Sequence, residues 1–356
     1  MPPLFGRSIG KDDLLMRVGD LSQVAGIRMM TLADGPEQGV RIADMRTGSG
    51  LRFQVTLDRG MDLSVAEYRG IPLAFRSPAG DVHPSRFEPA GRGWLRTFAG
   101  GLMTGCGMTY LGSPCTDGGA DLGLHGRLSH LQATQVAASE RWDGDDCTFT
   151  LSGSLRECTM FGENLLLTRS IQTGLGRSLI TIRDTVRNEG HDRSPLMMLY
   201  HINAGWPLLD AGARLLTSAA TTTPRDPAAG AGLAEARICS PPVPEFAEQV
   251  FYHDCAADEQ GYSAVLLENK ALSLGLFVRF RRKELRRLVE WKMMGQGTYV
   301  MGIEPANCGV GGRESERAGG TLEHLEPEEE RTFEVQIGVA DGAEEIAAVI
   351  SRHRLA

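Results

Sequence analysis

Period-two alternation recurs along this chain and limits its fold more than any other feature. In LRFQVTL, Leu51, Phe53, Val55 and Leu57 fall on one side of an extended backbone, with Arg52, Gln54 and Thr56 on the other. CTFTLSG repeats the pattern with Cys147, Phe149 and Leu151, and SLITIRDTVRN with Ile180, Ile182 and Val186. LSLGLFVRF aligns Leu272, Leu274, Leu276, Val278 and Phe280, and RTFEVQIGV aligns Phe333, Val335, Ile337 and Val339. Successive strand side chains point to opposite faces, so this pattern marks antiparallel strands with one buried face. Strand follows strand with no regular helical alternation. That argues against a parallel α/β fold and for an all-β fold, a large antiparallel sandwich with a few short helices. One domain over 1–356 is expected, with a lead-in over about 1–30 and a C-terminal helix over about 342–354. Asp341 is the expected N-cap of that helix, ahead of acids in its first turn. The Ala-, Pro- and Gly-rich stretch 221–246 reads as a long irregular excursion within the domain.

Charge narrows the function. The net charge is −8, so nucleic acid and anionic membrane would repel the chain as a whole. RFRRKELRR (279–287) is the local exception and reads as a solvated edge or turn. Seven cysteines occur without a CxxC pair, which fits free thiols in a reducing compartment and neither a zinc knuckle nor a thioredoxin motif. MPPLFGRSIGKDDLL lacks a basic segment followed by an apolar one, and no apolar run is long enough to span a bilayer. A cytoplasmic protein without membrane or nucleic-acid partners is expected.

Four islands place polar residues in glycine-rich or apolar surroundings: LDRGMDL (57–63), GLHGRLSH (123–130), LYHINAGWPLLD (199–210), and the stretch 290–317 that opens EWKMM and contains GIEPAN. His201 and Asn203 are two apart, so a strand sets both on one face, with Tyr200 and Ile202 on the other. They fit satisfied core groups, metal ligands, or part of an acid–base site, and a polyol would supply the partners such a pair needs. Glu304, after the strand-like TYVMG and between Ile303 and Pro305, would be partly desolvated, raising its pKa toward a general base. The competing reading pairs it with Arg313 or Arg317. His125 sits in a Leu-His-Gly turn, where a glycine lets the backbone double back. GxGxxG after a strand, a P-loop lysine motif and HExxH are absent. Proton transfer on a neutral, hydroxyl-rich molecule remains. His125, His201 and Glu304 lack the compact spacing of metal ligands, so no metal is expected.

In this order, the segments DRGMDL, GGLMTGCG, GLHGR, LYHINAGWPLLD, EWKMM, GIEPAN and GGRESER resemble the galactose mutarotase-like (aldose 1-epimerase) superfamily, and cover the chain from about residue 20 to 340. The resemblance implies a β-supersandwich and an aldose 1-epimerase that interconverts the anomers of a hexose or a modified, acidic sugar without a cofactor. It implies Glu304 as base toward the anomeric hydroxyl, His201 as acid toward the ring oxygen, and His125 as a supporting donor. Ile202 stands where better-known members have proline, and no Asn-Arg-Ile segment precedes Leu-His-Gly. The substrate contacts are therefore expected from Arg59 and Lys292, cations in apolar or glycine-rich islands, with Asp62, Asn203 and Arg313. Isomerisation beside the carbonyl of a keto-sugar, or sugar binding without chemistry, are the alternatives. A small-molecule sugar is the expected partner, and a homodimer is a candidate assembly.

Overall fold

The alternating segments form two large antiparallel sheets in the computed structural model, which describes residues 1–356. One sheet has eight strands, in the order Thr134–Asp143, Asp146–Cys158, Asn164–Gly174, Leu179–Asn188, Glu330–Asp341, Leu274–Arg281, Tyr262–Asn269 and Arg214–Thr217. The other has eleven. Its main path runs Ala219–Pro224, Gln249–Cys255, Arg287–Gly295, Thr298–Ala306, Met197–Ala204, Met103–Met108, Asp62–Tyr68, Leu51–Thr56, Arg41–Arg46 and Gly26–Thr31. Ile71–Pro72 pairs beside it on Asp62–Tyr68. The fold is an all-β sandwich, as the alternation predicts.

Apolar faces meet between the sheets. Phe53, Val55, Leu63, Tyr200 and Ile202 pack into one core with Phe149, Leu151, Ile182, Val278 and Phe333. Leu272 departs from its predicted alignment. The strand begins at Leu274, and Leu272 lies in the preceding turn, whose Ser273 has a positive φ of 51°. Polar groups also cross this core. Arg169 is fully buried and donates to both carboxylate oxygens of Asp184 (2.9 and 2.7 Å) and to Gly60 O (2.6 Å). Tyr200 Oη donates to Asp184 Oδ2 at 2.7 Å, fastening the Met197–Ala204 strand of one sheet to the Leu179–Asn188 strand of the other. Every strong acceptor here faces a donor, which a buried ion pair requires.

A second, smaller apolar cluster lies on the outer face of the eleven-stranded sheet. Cys106, Met197, Leu199, Val250, Val289 and Ala306 form its floor, and Trp94 and Phe98 cover it. Met197 and Leu199 alternate with Met198 and Tyr200, so one strand serves both clusters. His201 shares the outward set.

The helices are short: Lys11–Leu15, Pro227–Ala231, Arg313–Ala318 and Ala343–His353. None is long and apolar enough to cross a membrane. The last helix has Gly342 at its N-cap position where Asp341 is expected, and Glu345 reaches back to accept from Asp341 N at 2.9 Å. The 221–246 stretch is more ordered than its composition suggests. It contributes the edge strand Ala219–Pro224 and the helix Pro227–Ala231, and then runs under the sheet edge. Lys292 and Tyr299 fasten it there by donating to Glu235 O, Ile238 O and Ser240 O. The basic run 279–287 is a strand end and turn whose arginines meet acids, Arg282 with Asp254 and Arg286 with Glu323.

Candidate active site

Strand register creates the central pair. Met197–Ala204 lies antiparallel to Thr298–Ala306, with Leu199 opposite Ala306 and Ile202 opposite Ile303, so His201 faces Glu304 directly. His201 Nε2 and Glu304 Oε1 are 3.0 Å apart, and both side chains are almost fully buried. Glu304 lies within its strand, which runs on through Pro305 to Ala306, and not after it. Gly302, two residues earlier, leaves room for the pair. A methyl group there would collide with Glu304 Oε1 and come within 3.1 Å of His201 Cε1. Trp291 stands opposite Gly302, and Val289 opposite Glu304, on the next strand.

His125 reaches the pair from a loop. It holds φ at +57°, followed by Gly126 at +78°. Gly107 N donates to His125 O at 2.9 Å, and His125 N donates to Gly112 O at 3.0 Å. A side chain on Gly107 would strike Met197 O, and one on Gly126 would strike Tyr110 O. Two glycines in contact thus let the Leu-His-Gly turn lie flat on the sheet. The His125 ring stands perpendicular to the His201 ring at a centroid distance of 5.9 Å.

Aromatic rings enclose the three groups. Trp94 meets the edge of His125 at 4.8 Å, Phe98 lies 5.6 Å from His201, and Trp291 lies 5.4 Å from His201. The cavity holds about 160 Å³. Arg92, Ser113, Arg225 and Glu248 line it with the aromatic residues. Glu248 pairs with Arg225 at 3.3 Å and accepts from Trp291 Nε1 at 3.1 Å, and so fixes the indole. Trp94 Nε1 donates to Ser129 Oγ at 3.0 Å. Sequence reasoning missed this aromatic wall. Its signal was Trp291 inside the singled-out EWKMM, on the strand face opposite to Lys292.

Burial sets the protonation states. It pushes the Glu304 carboxyl up to about 8, helped by the Glu248 charge and opposed by Arg225. It pulls His201 down to about 3, helped by His125 and opposed by Asn203. His125 is lowered by burial as well. A separation of 3.0 Å would also suit a charged pair. Burial decides against it, because His201 Nδ1 and Glu304 Oε1 have no hydrogen-bond partner to stabilise charge. The cavity therefore holds a neutral acid beside a neutral imidazole. The pair's one dissociable proton resides on Glu304, next to His201, and an entering molecule with hydroxyl groups can draw it away.

The residues expected to bind substrate sit elsewhere. Asn203 is on the His201 face but completely buried, its amide donating to Gly101 O (3.1 Å) and His201 O (2.9 Å). Arg59 grips Val82 O and Thr97 O, each at 2.7 Å, and so ties down the segment that carries Trp94 and Phe98. Asp62 accepts from Gly105 N at 2.8 Å beside Arg169, and burial raises it to about 7. Lys292 points to the inner face, toward the 221–246 stretch. Arg313, with Arg317, binds Asp117 at 2.6 and 2.7 Å and not Glu304. Of the predicted set, the cavity collects His125, His201 and Glu304. No three His, Cys, Asp or Glu side chains are grouped to hold a metal.

Solved structures define the class. A proposed aldose 1-epimerase from Klebsiella pneumoniae subsp. pneumoniae superposes with a TM-score of 0.89 at 26% identity, over 97% of this chain and 90% of its own. A galactose mutarotase-like protein from Clostridium acetobutylicum gives 0.62 at 14%, over 90% and 99%. A galactose 1-epimerase from Lactobacillus acidophilus gives 0.55 at 13%, over 89% and 99%. Curated proteins give no match. The architecture is that of the galactose mutarotase-like superfamily. Within it, residues 37–339 match the family described as Domain of unknown function (DUF4432), and the chain belongs to that family.

Proposed function

We propose that this chain is an aldose 1-epimerase acting on a single sugar ring. The observation that carries the reading is the cross-strand pair of Glu304 and His201, 3.0 Å apart in an aromatic cavity. Ring opening needs a base at the anomeric hydroxyl and an acid at the ring oxygen, two oxygens on one carbon. Acid and base tips in contact suit such neighbouring atoms. As the sugar enters, Glu304 gives its proton to His201. The Glu304 carboxylate then takes the anomeric hydroxyl proton, and His201 Nε2 protonates the ring oxygen as the C1–O bond breaks. Glu304 is now neutral, as is His201, and C1 is an aldehyde. Rotation about C1–C2 presents the other face, and the same two transfers run backward to close the ring. No net proton is gained or lost. His125 donates to a hydroxyl near the ring oxygen, and Trp291 and Trp94 bracket the apolar face of the sugar.

Anomer interconversion measured by NMR exchange across a panel of aldoses tests the reading. Accelerated exchange with no deuterium entering carbon from heavy water is expected. Deuterium at C2 would replace the mechanism with carbonyl-adjacent isomerisation. Sugar binding without acceleration would make the chain a binding protein.

A further inference from the structure

Arg92 is exposed, and exposed arginines are ordinary, but three facts set this one apart. It lines the cavity that holds His125, His201 and Glu304. It has no acidic partner, whereas the neighbouring cations do: Arg96 pairs with Glu88, and Arg225 with Asp226 and Glu248. Its backbone is locked to the loop that carries His125. Leu124 N donates to Gly91 O at 2.9 Å. Gly123 fits so closely against Pro89 O, and Gly93 against Glu88 O, that neither position has room for a side chain. The backbone under this arginine need not reorganise to meet a ligand, and its planar fork suits an oxyanion.

The charge around the mouth points the same way. Glu248, the acid among the lining residues outside the central pair, is already paired with Arg225 and bonded to Trp291. Arg92 is left without an ion-pair partner at the opening, on a chain of net charge −8. A neutral sugar would leave it unused.

We infer that the sugar is anionic, carrying a carboxylate or phosphate on the carbon remote from the anomeric centre, and that Arg92 at the cavity mouth receives that group. This deepens the mutarotase reading and rests on it for the orientation of the ring, with the reacting carbon at Glu304 and His201 and the anion outward.

Direct binding tests the subsite apart from turnover. Quenching of the Trp94 and Trp291 fluorescence would be titrated with glucose and galactose, their 6-uronates and their 6-phosphates, for the wild-type and Arg92→Gln proteins. At least one anionic series should bind about tenfold or more tighter than its parent hexose, as a charge-assisted pair allows. That preference should shrink with added salt and fall toward unity in Arg92→Gln. The uronate and phosphate arms separate the two anions. Equal binding of anionic and neutral sugars by the wild-type protein overturns the inference, as does an undiminished preference in Arg92→Gln. Either result leaves anomer exchange on neutral sugars intact as a test of the mutarotase reading. An anion preference without any exchange would instead fault the chemistry and leave the subsite standing.

Discussion

Replacing Glu304 with Gln probes the protonation state on which the chemistry depends. The amide keeps the size of the carboxyl and cannot ionise. In the wild-type protein burial raises the carboxyl from its ordinary 4.5 to about 8. At about 1.4 kcal/mol per pKa unit, ionising Glu304 costs the folded state roughly 5 kcal/mol relative to the unfolded chain. The sign follows from the direction. A raised pKa means the folded protein holds the proton more tightly, so the associated stability is fully present below 4.5 and is lost as pH rises through 8. Near neutrality about 3 kcal/mol has gone. The Gln variant lacks this loss. Urea unfolding should find it equal to wild type near pH 4, about 3 kcal/mol more stable near pH 7, and about 5 kcal/mol more stable near pH 9. The same change removes the base, so anomer exchange should fall about 10²–10⁴-fold. A variant less stable than wild type near pH 7 would mean that Glu304 and His201 form a charged pair, and the argument from burial would be refuted. A stability difference independent of pH would refute it equally, because Glu304 would not titrate in this range.

Two further outcomes follow from the same geometry. The working pair carries one proton, which leaves as pH rises past about 8 and is joined by a second only toward about 3. A pH profile of kcat/KM for anomer exchange should therefore be flat through neutrality and fall on the alkaline side near 8, and a fall centred near 6.5 would assign the limb to an ordinary histidine. Tyr200→Phe removes the 2.7 Å bond to Asp184 across the sandwich and should lower stability by about 1.5–3 kcal/mol, the worth of a hydrogen bond to a charged acceptor, as read by urea unfolding.

Sheet architecture was legible because a strand with one buried face writes itself in alternate residues. Phe53 and Val55, or Val335 and Ile337, bury as their alternation requires. The C-terminal helix was legible too, but its cap was not. Asp341 is the preferred residue type for that place, yet the strand Glu330–Asp341 keeps it, and Gly342, with φ at +88°, makes the turn instead. The cations misled for a related reason. A buried cation shows in a sequence as charge among apolar residues whether it faces a ligand or the protein. Arg59 and Lys292 are held by main-chain carbonyls of Val82, Thr97, Glu235 and Ile238, acceptors that every residue has and no motif announces. Lys292 could have been placed by parity alone. It alternates with Trp291, and only one of the two can face the cavity. Arg92 had the opposite problem, since in GRGW it looks like any loop arginine until the cavity opens beside it.

The central pair shows where sequence reading meets its limit. Parity could say that His201 and Asn203 share a face, and burial that Glu304 would be hard to ionise. Neither could say that the two strands, about a hundred residues apart in the chain, pair with His201 opposite Glu304. That is a matter of register. A slip of one residue would put Pro305 or Ile303 opposite His201 and turn Glu304 toward the inter-sheet core. The apolar residues around the pair prevent the slip. Ile202 and Ile303 are opposite one another in the register, and both must bury between the sheets beside Met103 and Met301. Ile202 is thus one of the residues that sets the register. Its packing on one face holds acid and base together on the other.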